Sequence, residues 1–209
     1  MKKSTFILTA VLLLAAASLT AQSSCGTVKD YDGNTYKTVQ IGSQCWMAEE
    51  LRATIYSDGS SVSYFNPEWG SSGYLEKDFC YYKNDHSFGK LYTWGAVVNY
   101  REPQGRQSKQ SRNSSGATDI YTAISKQGLC PSGWHIPSQA EWEQLRRYLS
   151  NNDPSGSYAS RLSMIEGWSY WTSEMSEEES APLGFRYRKS NEWSFEGYKG
   201  FLFVRCVRN

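Results

Sequence analysis

Cys130-Pro-Ser-Gly-Trp-His-Ile-Pro-Ser-Gln-Ala-Glu-Trp-Glu-Gln-Leu145 packs a tight turn, a proline-bounded approach and a capped amphipathic helix into one run. Pro131-Ser132-Gly133 is turn chemistry, because proline presets φ and glycine tolerates conformations other residues avoid. Ser138 precedes the helix and Glu141 follows three residues later. That is the spacing at which hydroxyl and carboxylate satisfy two orphan amides reciprocally. Trp142, Leu145 and Leu149 recur at i, i+3 and i+7, so one helical stripe is apolar. His135, in the entry turn, is expected to be a buried structural histidine bonded to backbone. No residue here has a nucleophile or acid–base partner in sequence, so the run reads as architecture.

The N-terminus reads as a signal peptide over residues 1–21. Lys2 and Lys3 form a basic start, Phe6 to Leu19 an apolar stretch, and Ala21-Gln22 a cleavage point. The stretch is shorter than the roughly 20 apolar residues of a membrane span. The expectation is an exported protein, secreted, periplasmic or on the outer surface, with no membrane span in the mature chain. A lipid anchor at Cys25 is the lesser alternative, since Gln22-Ser23-Ser24 makes a poor processing site.

About 188 residues follow residue 21, the size of a single domain over 22–209. Without Lys2 and Lys3 the formal charge moves from +1 to about −1, so no global field favours nucleic acid. Eight Trp and fifteen Tyr favour strands and recognition surfaces over a helical bundle. Five cysteines in an exported chain point to disulfides with one thiol left over. Cys25 and Cys45 bracket an expected hairpin. A Cys130–Cys206 bond would close a loop of about 76 residues, roughly 4 kcal/mol in the chain-entropy model. Four of the cysteines still allow three connectivities. No Cys-x-x-Cys pair exists and the two histidines stand far apart, so no metal site is expected.

Thr27 to Ile41 reads as a β-hairpin turning at Asp32-Gly33-Asn34. Asp30-x-Asp32-Gly33-Asn34 superficially matches a calcium loop, but the remaining ligands are missing and a plain turn is expected. Trp46 to Leu51 reads as a short helical turn, Phe79 to Tyr82 as a strand, and Leu91 to Val98 as a first helix despite Gly95. Arg101 to Thr118 is linker-like, and its Arg101, Arg106, Lys109 and Arg112 lack the interleaved aromatics of a nucleic-acid surface. From Glu166 onward, aromatic segments alternate with turns: Trp168–Trp171, Gly184–Tyr187, Trp193–Phe195 and Phe201–Val207. This spacing predicts an antiparallel sheet.

Four ordered blocks resemble the Fibrobacter succinogenes major paralogous domain, a family of exported bacterial proteins. They are Asp32-Gly-Asn-Thr-Tyr-Lys-Thr-Val-Gln-Ile-Gly-Ser-Gln-Cys-Trp-Met47, Gly89-Lys-Leu-Tyr-Thr-Trp94, Cys130 to Pro137 with Glu141-Trp142, and Val204-Arg-Cys-Val207. Glu50 departs from the Asn usual in that family. Asn84 to Phe88 lacks the second cysteine often found there, which favours an unpaired Cys80. A shorter run, Ile136-Pro-Ser-Gln-Ala-Glu-Trp-Glu143, is similar to formylglycine-generating-type domains. It implies an α+β, C-type lectin-like fold with two helices, a small twisted antiparallel sheet and long loops.

No poised catalytic constellation is apparent, so no enzyme activity and no cofactor are expected. His86 beside Asp85 and the Glu177-Glu178-Glu179 run read as solvated loops. Glu102-Pro103-Gln104 is similar to a sugar-binding triplet of calcium-dependent lectins, but its Trp-Asn-Asp partner is missing. The expected ligand face is aromatic and polar: Trp168, Tyr170, Arg186, Tyr187, Arg188, Glu192, Trp193 and Tyr198. Trp and Tyr offer rigid faces with polar edges, suited to sugars or protein anchors. Trp171 and Phe203 are expected to face the core. The leading expectation is a cell-surface domain binding a glycan or protein. A structural subunit of a surface appendage is the alternative, and a formylglycine-generating-type enzyme the least favoured.

Overall fold

The computed structural model describes residues 25–63, 80–81, 89–100, 125–152, 162–164, 167–176, 181–188, 193–198 and 200–209. The elements in order are β1 (Thr27–Lys29), β2 (Thr35–Ile41), β3 (Gln44–Met47), β4 (Cys80–Tyr81), β5 (Leu91–Tyr92) and α1 (Trp94–Val97). They continue with β6 (Trp134–His135), α2 (Gln139–Asn152), β7 (Ser169–Ser176), β8 (Ala181–Arg186), β9 (Ser194–Gly197) and β10 (Val207–Arg208). A curled antiparallel sheet runs β1-β2-β3-β10-β6, with a two-stranded β4-β5 pair and a three-stranded β7-β8-β9 sheet. Among the described residues the architecture is mixed α and β, mostly sheet with two helices.

The expected hairpin forms, with Val28 opposite Tyr36, and its turn is closed by Asp30. Asp30 accepts from the Asn34 amide at 2.8 Å and from the Tyr36 hydroxyl at 2.5 Å. Asp32 accepts from the Thr54 amide at 2.6 Å and the Ile55 amide at 3.0 Å. Both carboxylates therefore serve the fold, in keeping with a plain turn. Trp46 and Met47, expected in a helical turn, instead lie in β3. The reason is two-sided burial: Cys45 and Met47 point into one apolar cluster and Trp46 into another. A strand covered on both faces reads as an unbroken apolar run and hides its period of two. The first helix is shorter than expected because Leu91 and Tyr92 are taken by strand pairing with β4. Tyr92 also exchanges backbone hydrogen bonds with Leu202 at 2.9 and 3.0 Å.

The two clusters organise the molecule. One gathers Tyr36, Met47, Tyr56, Tyr92, Trp94, Trp171 and Val204; the other gathers Val39, Trp46, Trp142, Tyr170, Phe185 and Phe203. Adjacent residues of single strands go to opposite clusters, as with Tyr170 and Trp171 or Phe203 and Val204. The sheets are thus a partition between two cores. Helix α2 roofs the second core with Trp142, Leu145 and Leu149, the predicted stripe. Trp142 stacks on Phe185 at 4.3 Å and tilts against Trp46 at 4.6 Å.

Both expected disulfides are present, Cys25–Cys45 and Cys130–Cys206. The first occupies the Cys25 sulfur that a lipid anchor would need. The second fastens the approach to α2 to the C-terminal strand. Cys80 gives its backbone to β4; its expected free thiol lies outside the described side chains.

Glu50 is 6% exposed and forms an ion pair with the fully buried Arg205. Arg205 also donates to the Leu162 carbonyl, and the Tyr170 hydroxyl donates to Glu50 at 3.1 Å. Removing one member of such a pair strands a charge in the interior, costing about 3–5 kcal/mol. Arg205→Met is therefore expected to lower urea-denaturation stability by about that amount. The double variant Glu50→Gln/Arg205→Met recovers much of the loss, because no charge remains while Tyr170 keeps an acceptor.

Candidate ligand-binding face

Strand alternation sorts the residues expected to bind ligand. In the β7-β8-β9 sheet, Tyr170, Phe185 and Phe195 stand in one cross-strand row, and Ser169, Arg186 and Ser194 in the next. Neighbouring rows face opposite ways. The first face turns towards α2. Tyr170 is fully buried there and Tyr187 is 8% exposed, so these two expected ligand residues are interior. Trp168 stacks on Phe203 at 4.2 Å, and Trp193 meets Tyr187 edge-on at 5.5 Å. Both indoles pack at the margin of the second core. Trp171 and Phe203 are buried as expected.

Arg186 and Tyr198 lie on the other face, and Arg188 is exposed two residues beyond Arg186. Glu192 lies outside the described residues, as do His86, Glu102-Pro103-Gln104, Glu177 to Glu179 and the basic segment 101–118. The expected set is thus divided: Trp168, Tyr170, Tyr187 and Trp193 belong to the second-core side, and Arg186 and Tyr198 to the opposite side, where Tyr198 packs against the first core.

Tyr198 is held on that opposite face by three contacts. Its backbone amide donates to the Pro182 carbonyl at 2.8 Å, its hydroxyl lies 3.0 Å from Ser169 Oγ, and its ring meets Trp171 edge-on at 6.5 Å. The ring covers Gly184, where an added Cβ would come within 2.5 Å of Tyr198 Cδ2. Only glycine lets the ring lie so close to the strand. Tyr198 is half-buried, packed in part against the first core and in part left to solvent. Around it stand Ser169, Arg186, Ser194 and Glu196, all partly exposed, with Ser194 Oγ donating to Glu196 at 2.8 Å. Gly184, Ser169, Ser194 and Glu196 escaped sequence reasoning. Their signal is parity: counting by twos from Arg186 reaches Gly184, and from Tyr198 reaches Glu196 and Ser194.

A second polar cluster sits where α2 begins. Ser138 and Glu141 form the capping box, with the Ser138 amide donating to Glu141 at 2.8 Å and the Glu141 amide to Ser138 Oγ at 3.2 Å. Glu174, from the irregular stretch of β7, accepts from the Gln139 amide at 2.9 Å. His135 is half-buried and bonds side chains rather than the expected backbone. Its Nε2 lies 2.8 Å from Glu141 Oε1 and its Nδ1 2.5 Å from Asn209 Oδ1. Both ring nitrogens lie within hydrogen-bond reach of side-chain oxygens. The Glu141 hydrogen bond chiefly raises the His135 pKa above its usual value; burial and the Lys126 charge oppose this, and the Glu141 charge and Asn209 support it. Burial pushes the Glu141 carboxyl up, but hydrogen bonds from His135 and Ser138 outweigh it and hold the group below its usual range. The cluster joins helix start to C-terminal residue and offers no nucleophile free of structural duty. Among the described residues, no group of three His, Cys, Asp or Glu is placed to hold a metal ion.

With this geometry in place, comparison with known proteins gives a family. Residues 39–163, more than half of the chain, match the model of the Fibrobacter succinogenes major domain. The chain belongs to that family. The matched span takes in the end of β2, the whole of β3 and the whole of the Cys130 to Leu145 run. Neither the curated proteins nor the solved structures contain a match. Among the described residues no helix is long and apolar enough to cross a membrane. The two disulfides are consistent with an oxidising, extracellular setting.

The His135–Glu141 contact carries a pH signature of known sign. A raised histidine contributes stability below its unfolded value of 6.5, lost as pH rises through the folded value. A lowered carboxyl contributes stability above its unfolded value of 4.5, lost as pH falls through the folded value. The melting-temperature deficit of His135→Gln relative to wild type is therefore expected to be largest between pH 4.5 and 6.5. Thermal melts from pH 3 to 9 measure it, and a deficit independent of pH contradicts the assignment.

Proposed function

We propose that this family member is an exported, non-catalytic recognition domain of C-type lectin-like architecture, engaging a glycan or a protein partner on the Tyr198 face. Support for the architecture comes from the two helices, the curled antiparallel sheet, and a C-terminal strand placed inside the sheet and bonded to the helix approach. The Tyr198 ring carries the functional reading. It is laid on a glycine, tethered at its hydroxyl, and bordered by hydroxyl, guanidinium and carboxylate groups. A fixed aromatic plane loses little entropy on binding, and the polar border supplies directional hydrogen bonds. A pyranose ring presents the matching surface, with an apolar C–H face and equatorial hydroxyls.

The test is a glycan array and a pull-down with the oxidised protein, repeated with Tyr198→Ala and Gly184→Ala. The first variant removes the plane; the second displaces it by one methyl group. Each is expected to weaken binding at least tenfold while the melting temperature stays within a few degrees of wild type. Undiminished binding by both variants overturns the proposed face. Stable co-purification with another chain and no captured glycan would favour the structural-subunit alternative.

A further inference from the structure

We infer that the Tyr198 face is selective for acidic saccharides, those bearing a ring carboxylate, and that Arg186 reads the charge; the inference rests on the recognition reading above. Ser169 lies directly opposite Arg186 in the β7-β8 register, and the Tyr198 hydroxyl lies on Ser169. Residues facing each other across antiparallel strands have Cβ atoms about 4.5–5.5 Å apart. The guanidinium therefore borders the hydroxyl end of the aromatic plane, within reach of a substituent on a ring seated there.

Among the described residues no carboxylate pairs with Arg186, and its Nε is buried without an acceptor. Arg205 of the same fold also has a buried Nε without an acceptor, but its terminal nitrogen pairs with Glu50. The nearest acidic residue on the sheet face is Glu196, diagonal to Arg186 in register and engaged by the Ser194 hydroxyl. Its presence lowers the net field of the face. A free anion therefore gains little, whereas a carboxylate delivered on a stacked ring meets the guanidinium at short range. Arginine suits this task because its planar fork matches carboxylate geometry.

Isothermal titration with a trisaccharide of galacturonic acid and with its methyl ester separates the charge from the ring. The acid is expected to bind at least tenfold more tightly at 50 mM NaCl, with the difference shrinking at 500 mM. Arg186→Gln is expected to bring acid and ester to the same affinity, and Arg186→Lys to restore part of the preference. Melting temperatures of both variants establish that they fold. Equal binding of acid and ester by wild type overturns the acidic preference; if Tyr198→Ala then weakens both, the recognition reading survives. Equal or tighter binding of a tetraglutamate peptide overturns the saccharide class. Failure of both sugars to bind, together with an empty glycan array, overturns inference and recognition reading alike.

Discussion

The residues from Leu202 to Asn209 form a spine to which nearly every described element is tied. Leu202 pairs with Tyr92, the Phe203 carbonyl accepts from Trp171, and the Val204 carbonyl accepts from Leu51. The Cys206 carbonyl accepts from Met47, Val207 sits between Trp46 and His135, and the Asn209 amide donates to Gly133. Side chains repeat the pattern: Phe203 and Val207 enter one core, Val204 and Cys206 the other, while Arg205 crosses to Glu50. Leu202 to Val207 are buried throughout, and Arg208 and Asn209 reach solvent. The polar groups of the buried stretch must be matched by the elements around it, because an unmatched buried group costs about 1–3 kcal/mol. That requirement explains why an arginine tolerates complete burial here. The pair with Glu50, the Leu162 carbonyl and the Tyr170 ring replaces most of what water would supply, with Nε left unmatched.

Local patterns were legible in the sequence where one residue's neighbours decide its state. The capping box, the Trp142 stripe, the Asp-Gly-Asn turn and the alternating aromatic segments all follow from spacing within a few positions, and the structure contains each. Trp46 and Leu91 were misread because their states are set by partners far along the chain. Trp46 is a strand residue since β10, contributed from residues 207–208, lies beside it. Leu91 is a strand residue since Cys80–Tyr81 pairs with it. Nothing within five positions of either encodes those partners.

The ligand face shows a different limit. The segment was visible as aromatic and polar, yet its residues were pooled without regard to side. Period-two alternation sends Tyr187 and Trp193 towards α2 and Arg186 and Tyr198 away from it. The information was present in residue parity, but it becomes usable only when the strand register is known. Gly184 could not be recognised at all as a cradle, since its role depends on a ring fourteen positions later folding over it.

The spine also orders the life of the chain in time. Residues 202–209 are synthesised after every other described element, yet each sheet and both cores are incomplete without them. The Glu50–Arg205 contact spans 155 positions and the Cys130–Cys206 bond 76. Contacts at such separation demand loop closure before they repay it, which slows assembly. The hairpin turn and the helix cap can form from neighbours alone, but both cores close only once residues 202–209 have docked. Docking of that segment is the global step that the local structures wait for.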